Sequence, residues 1–353
     1  MEMRKLGNSG LKVSVISFGA MTFGGSNKDV YGRMGSLEGK DAERMVHRCL
    51  DTGINLFDTA NTYANGRSED ILGKALGTKR SDVIIATKGY NRIGEGPNDI
   101  GSSRHYIIKA VEQSLQRLGT DYIDLYQMHN FDGFTPQEET IRALDDLIVA
   151  GKIRYVGVSN YSGWHLMKGL AIADKMSSTR YISQQINYSL LNRDCENELV
   201  PLSSEEGIGI LVWSPLQGGL LSGKYRRGIR IPENTRLVGN PDLEGPERER
   251  IDTIVDVLTE IAEERKVTIG SVALNWLLKK PTVTSLLIGA RNEEQLEQNL
   301  LAAKWSLSDE EEQRLNKVSE KPWIYPYKMY QLFGGERNPY YLRGEKYRSW
   351  RKS

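Results

Sequence analysis

Eight short runs of apolar and β-branched residues are strung along the chain, with segments of helical period between them. The runs are VSVISFG (13–19), INLFD (54–58), VIIATK (83–88), YIDLYQMH (122–129), IRYVGVS (153–159), ISQQIN (182–187), IGILVWS (208–214) and TSLLIG (284–289). Most are near-continuously apolar rather than alternating, as parallel strands covered on both faces must be. The segments 41–53, 68–77, 103–119, 136–151, 164–176, 247–266 and 292–303 carry the 3.6-residue period, and several stop at glycine. Eight strands alternating with helices predict an α/β fold, a (β/α)8 TIM barrel. An open doubly wound sheet is the competitor, and it would carry G-x-G-x-x-G after its first strand. Here the first strand runs into SFGAMTFGGSN, which does not fit that pattern.

Three stretches stand outside the repeat. MRKLGNSGLKVS has a tight N-S-G turn between short apolar stretches, and reads as an N-terminal hairpin that covers the bottom of the barrel. Residues 215–247, rich in Gly, Pro and charge, form a long loop after the seventh strand, and loops of that length commonly serve function. The last 34 residues hold nine aromatics: Trp323, Tyr325, Tyr327, Tyr330, Phe333, Tyr340, Tyr341, Tyr347 and Trp350. That tail could wall a pocket, cover a neighbouring subunit of a homo-oligomer, or pack on its own barrel. A length of 353 residues suggests about two domains. The strand count makes 1–353 one domain instead, with the barrel at about 13–303 and a C-terminal helix and aromatic tail at 308–353.

Charge and cysteine usage narrow the partners. With 47 Lys+Arg against 46 Asp+Glu the net charge is +1, so neither nucleic acid nor a membrane surface meets a basic field. The tail YLRGEKYRSWRKS interleaves aromatics with cations, but it is one short stretch on a neutral chain. Cys49 and Cys195 are too few for a disulfide framework and read as packing residues in a reducing compartment. The N-terminus lacks the apolar centre of a signal peptide, and no run reaches the roughly 20 apolar residues of a membrane helix. A soluble cytoplasmic chain is expected. No C-x-x-C, H-E-x-x-H or clustered His/Cys set is present, so no metal is expected.

In a barrel the active site lies at the strand C-termini and the loops after them. Those ends carry Asp58, followed by Tyr63, then Lys88, His129, Ser159-Asn160, Gln185 and Trp213-Ser214. A free tyrosine titrates near about 10 and is a poor acid at neutral pH. A neighbouring ammonium favours its phenolate, so Lys88 would tune Tyr63, and Asp58 would keep Lys88 charged and in place. His129 would hydrogen-bond a substrate oxygen or share the proton of Tyr63. The set makes a tuned general acid for a carbonyl oxygen receiving hydride. Singly, Asp58 and Lys88 read as a buried ion pair, Tyr63 as a packing aromatic and His129 as a core histidine. Their convergence on the catalytic face is what points to chemistry.

These motifs resemble the aldo-keto reductases, NADPH-dependent barrel oxidoreductases, in their bacterial-type long-loop branch. INLFDTANTYANGRSEDILGKAL is similar to that family's second strand, catalytic loop and following helix, and IIATK and DYIDLYQMH to its lysine and histidine strands. GKIRYVGVSNYS, VWSPLQGGLLSGKY and LLIGARNEEQLEQNL are similar to its cofactor segments, and the likeness runs from about Arg4 to Val318.

The resemblance implies NADPH/NADP+ as cofactor and a small-molecule carbonyl or alcohol as substrate. It makes Tyr63 the acid/base, Asp58 and Lys88 its tuning pair and His129 the orienting partner. Ser159, Asn160 and Gln185 would hold the nicotinamide carboxamide, and Trp213 would stack on its ring. Backbone groups of Ser214, Leu216 and Gly218, with Lys224, would hold the pyrophosphate, with Pro215 also binding the cofactor and Arg236 near it. Gly289 and Arg291 would line the adenosine phosphate, Gln295 and Asn299 the adenine, and Gly19, Ala20, Met21 and Thr22 the nicotinamide. Arg291 also stands at a helix start just after the last strand, where a guanidinium suits a phosphate and so NADPH over NADH. KDVYGRMGSLEGK (28–40) departs from the minimal pattern as a longer first loop, and the motif sets no requirement on Asn130. Another reading is a nucleotide-binding regulatory subunit, because potassium-channel β subunits resemble the same family. A barrel glycosidase would need two mouth carboxylates about 5–10 Å apart, and only Asp58 stands there.

Overall fold

The computed structural model describes residues 1–26, 34–229 and 246–334, together with 32, 237 and 337. Two short antiparallel strands, β1 (Met3–Lys5) and β2 (Lys12–Ser14), form the expected hairpin. Eight parallel strands then close into a barrel: β3 (Ile16–Gly19), β4 (Leu56–Asp58), β5 (Ile84–Gly89), β6 (Ile123–Met128), β7 (Ile153–Ser159), β8 (Ser183–Asn187), β9 (Gly209–Trp213) and β10 (Val283–Ile288). They neighbour one another in chain order, and β10 pairs back onto β3. The run 13–19 is thus two strands. Its first residues pair with β1, and it changes partner at Val15 to enter the barrel.

Helices α1 (Gly39–Asp51), α2 (Arg67–Leu76), α3 (Arg104–Leu118), α4 (Gln137–Val149), α5 (Gly163–Lys175), α6 (Leu199–Glu206), α7 (Pro246–Arg265), α8 (Ile269–Leu278), α9 (Glu293–Leu300) and α10 (Asp309–Val318) follow the strands. Side chains cap several N-termini: Ser103 receives the Tyr106 N–H, Thr268 the Ser271 N–H and Ser308 the Glu311 N–H. Helices α6 and α8 have no counterpart among the predicted segments. Nine of the ten residues of α8 are buried, so it lacks the exposed polar face that makes a helix visible as a period.

The hairpin seals one end. Leu6 and Val13 join Leu56, Ile84, Leu125, Leu211 and Leu287 in one buried cluster inside the strand ring. Each such side chain contributes about 1.5–3 kcal/mol of burial. Gly7 sits at φ +61 so close to the base of β9 that an added Cβ would lie 2.4 Å from the Gly207 carbonyl oxygen. Arg4 locks the cap by donating to the carbonyls of Val283 at 2.7 Å and Leu278 at 2.9 Å. The other end of the ring is left for the site.

Both cysteines are buried thiols, and burial raises their pKa values. Among the described residues no helix is long and apolar enough to cross a membrane. Arg236, residues 27–31 and 33 of the first loop, and the tail beyond Arg337 lie outside the described residues.

Candidate active site

Strand alternation sets the site. Asp58 on β4, Lys88 on β5 and Gln127 on β6 each lie two residues beyond an inward-facing Leu56, Ala86 or Leu125, so they emerge on the lumen side above the apolar plug. Lys88 is fully buried, and its Nζ donates to Asp58 Oδ1 at 2.5 Å, to the Thr59 carbonyl at 2.8 Å and to Tyr63 Oη at 3.3 Å. The second oxygen of Asp58, Oδ2, accepts from Gln185 Nε2 at 2.8 Å and from Gln127 Nε2 at 3.1 Å. Burial alone would pull the Lys88 ammonium down, but the Asp58 charge and the Tyr63 oxygen outweigh it and its pKa is raised. The cation therefore stays charged beside the phenol.

Tyr63 opens the short turn after β4, with Lys88 Nζ 4.9 Å from its ring centre. The His129 ring stands edge-on to it, centroids 5.8 Å apart. His129 follows β6 directly, donates its backbone N–H to the Gly89 carbonyl at 2.9 Å, and places Nδ1 3.2 Å from Asn91 Nδ2. Burial first, then the Lys88 charge, lower its pKa to about 3, so the imidazole is neutral at pH 7.

Three amides of this neighbourhood escaped the sequence reading. Gln127 braces Asp58. Asn91 meets the histidine ring and accepts from Asn130 Nδ2 at 3.2 Å through its Oδ1. For Gln127 a signal existed, since it shares the inward parity of Leu125 and His129. Asn91 and Asn130 sit in loops, where no period marks them.

The remaining predicted residues follow the ring of strand ends from β7 through β10 to β3. Ser159 donates its hydroxyl to the Gln185 carbonyl at 3.0 Å. Asn160, at φ 57, receives the Trp213 indole N–H at 3.1 Å. Gln185 is committed to Asp58, as above. After β9 the backbone turns through the left-handed region at Ser214, Gln217, Gly218 and Gly219, with φ of 51, 47, 65 and 101. Pro215 is buried there, Leu216 half-buried and Lys224 exposed. At the end of the arc, Gly289 is exposed, and a Cβ built on it would come 3.4 Å from Thr22 Cγ2. The Thr22 hydroxyl is buried without a hydrogen-bond partner, and Gly19 and Met21 beside it are half-buried. Arg291 donates Nε to the Met34 carbonyl at 3.3 Å and its backbone N–H to Gln295 Oε1 at 3.0 Å. Gln295 and Asn299 are spaced to share one face of α9.

This arc suits a phosphorylated aromatic ligand. It offers an indole face, amide groups, a left-handed loop whose N–H groups can converge on an anion, an orphaned hydroxyl and a guanidinium. Among the described residues no group of His, Cys, Asp and Glu is arranged to hold a metal ion. Beyond Asn160, a cavity of about 790 Å³ is bounded by Asn187, Cys195, Glu198 and residues 324–327, so the tail begins beside the mouth.

A sequence model of the aldo/keto reductase family matches residues 15–320. The chain belongs to the aldo/keto reductase family. It is 38% identical over 309 residues to a probable voltage-gated potassium channel subunit beta of Arabidopsis thaliana, covering 86% of this chain and 91% of that one. It is 38% identical over 333 residues to an uncharacterized oxidoreductase of Bacillus subtilis, covering 91% and 97%. It is 32% identical over 344 residues to the versiconal hemiacetal acetate reductase of Aspergillus parasiticus, covering 92% and 97%. Membership in the aldo/keto reductase family, with the Bacillus and Aspergillus relatives named oxidoreductase and reductase, supports an oxidoreductase.

Proposed function

We propose that this family member is an NADPH-dependent reductase that converts aldehydes or ketones to alcohols, reversibly with NADP+, with Tyr63 as general acid. The observation that carries the reading is the Lys88 ammonium, which bridges the Asp58 carboxylate and the Tyr63 hydroxyl inside the barrel. NADPH, when bound, supplies the hydride. Tyr63 gives its phenolic proton to the carbonyl oxygen, and Lys88 stabilises the phenolate left behind. Asp58, braced by Gln127 and Gln185, keeps Lys88 charged. The neutral His129 offers the carbonyl oxygen a hydrogen bond and no competing charge. In the reverse direction Tyr63 takes the proton back from the alcohol.

Trp213 supplies the face for the nicotinamide, and Asn160 and Ser159 its carboxamide contacts. Backbone groups of Ser214, Leu216 and Gly218, with Lys224, take the pyrophosphate, and Pro215 and Arg236 are further cofactor contacts. Gly19, Met21 and Thr22 border the nicotinamide, Gly289 the adenosine phosphate, and Gln295 and Asn299 the adenine. Arg291 at the start of α9 favours the extra phosphate of NADPH. Buried, unpaired cysteines suit a reducing cytoplasm. The test is NADPH oxidation against a panel of aldehydes, with Tyr63→Phe beside the native protein. A loss of about 10²-fold or more is expected for the variant, and native rates no higher than the variant's would refute the reading.

The Arabidopsis relative favours a second reading, a nucleotide-binding subunit of a membrane channel. Co-purification with a membrane protein, without turnover of any carbonyl, would select it.

A further inference from the structure

Between Trp213 and His129 runs a chain of three asparagine amides whose direction is forced from one end. We infer that Asn91 and Asn130 are positioning residues that, with Asn160, fix the single proton of the His129 ring on Nε2. The geometry stands alone, and its use, a donor at Nε2 for the carbonyl oxygen, rests on the reductase reading.

An indole N–H can only donate. The Asn160 atom it meets at 3.1 Å is therefore Oδ1. Asn160 Nδ2 is left to donate to the His129 carbonyl at 3.1 Å, which can only accept, and to Asn130 Oδ1 at 3.4 Å. Asn130 then presents Nδ2 to Asn91 Oδ1 at 3.2 Å, and Asn91 presents Nδ2 to His129 Nδ1 at 3.2 Å. A donor facing Nδ1 requires a lone pair there, and a neutral imidazole carries one N–H, so the proton sits on Nε2. Turning any amide over would set donor against donor or acceptor against acceptor. Two unambiguous groups, the indole and the His129 carbonyl, hold Asn160 in place. The Asn91 backbone is pinned as well, because its carbonyl receives the Tyr106 hydroxyl at 2.6 Å. The far end of the chain, Trp213 and Asn160, belongs to the arc assigned to nicotinamide, so cofactor site and proton donor share one hydrogen-bonded path.

The tautomer is read directly by long-range 1H–15N correlation on the full-length labelled protein at pH 8, without cofactor or substrate. The His129 signals are assigned by their loss in His129→Gln. The native protein is expected as Nε2–H. In Asn130→Asp the carboxylate can only accept, so Asn91 turns its amide over to donate to it and offers Oδ1 to the ring, and the proton moves to Nδ1. Asn91→Asp does the same without the intermediate flip. In both variants kcat for carbonyl reduction drops about 10²-fold or more, as a wrong tautomer demands, while KM for NADPH stays within about twofold. Near-UV circular dichroism verifies folding. The inference is overturned if the native ring is Nδ1–H, or if either folded variant keeps Nε2–H. A native protein with the expected tautomer and no carbonyl turnover would overturn the reductase reading alone.

Discussion

Tyr106 donates its hydroxyl hydrogen to the carbonyl of Asn91 across 2.6 Å, reaching from α3 on the outside of the barrel to the loop that follows β5. The same oxygen accepts from the Tyr90 N–H and from Asn61 Nδ2, each at 3.1 Å, and the side chain is fully buried. Tyr106→Phe strands those partners in the interior. Stability is expected to fall by about 1–3 kcal/mol, as a lower urea midpoint at unchanged m-value. Turnover should fall with it, because the Asn91 loop is no longer pinned, while NADPH affinity holds. An unchanged midpoint would show that the three bonds contribute nothing net.

Lys88→Met removes a buried cation and leaves the Asp58 charge with only amide partners. A cost of about 3–5 kcal/mol is expected. Asp58→Asn combined with Lys88→Met removes both charges and should recover a large part of it, although activity stays lost in single and double variants alike. Denaturant unfolding of the three proteins supplies the comparison. A double variant no more stable than Lys88→Met would mean that packing, not charge, dominates this pair.

Stability should decline on the acid side because of His129. Its folded-state pKa is lowered to about 3, against 6.5 for the free side chain. Between those values the unfolded chain binds a proton that the folded chain refuses, so folding stability rises with pH across the window and is lost as pH falls from 6.5. His129→Gln removes that part of the slope. Urea midpoints measured from pH 4 to pH 7 on both proteins check it, and parallel curves would contradict the assignment. By the same logic His129 contributes no ionisation to the rate profile near neutrality.

Arg291→Ala tests cofactor choice. Losing a charge-assisted contact to the extra phosphate should weaken NADPH by about 10–100-fold in Kd and leave NADH nearly untouched. Fluorescence titration with each nucleotide measures the split. Equal losses for both would assign Arg291 to the first loop, through its bond to Met34, rather than to the phosphate.

Much of this was legible because burial and period agree at the strands. Each of the eight apolar runs overlaps one barrel strand, and Asp58, Lys88 and His129 stand out as polar ends of apolar runs. The reading failed where physical context, not composition, decides. Val13 and Ile16 are equally apolar and buried, so nothing marks the change of partner between them. Helix α8 is buried on nearly every side. Asn91 and Asn130 act through the orientation of an amide, a property that depends on neighbours brought together by folding and leaves no spacing in the chain.

The hairpin that plugs the barrel also sets a timetable. Arg4 leaves the ribosome well before its partner Val283, which lies 279 residues later. At translation rates of about 5–20 residues per second, roughly 15–60 s separate the two. Through that interval Leu6 and Val13 have no ring to enter. The plug is made long before the ring that receives it is complete.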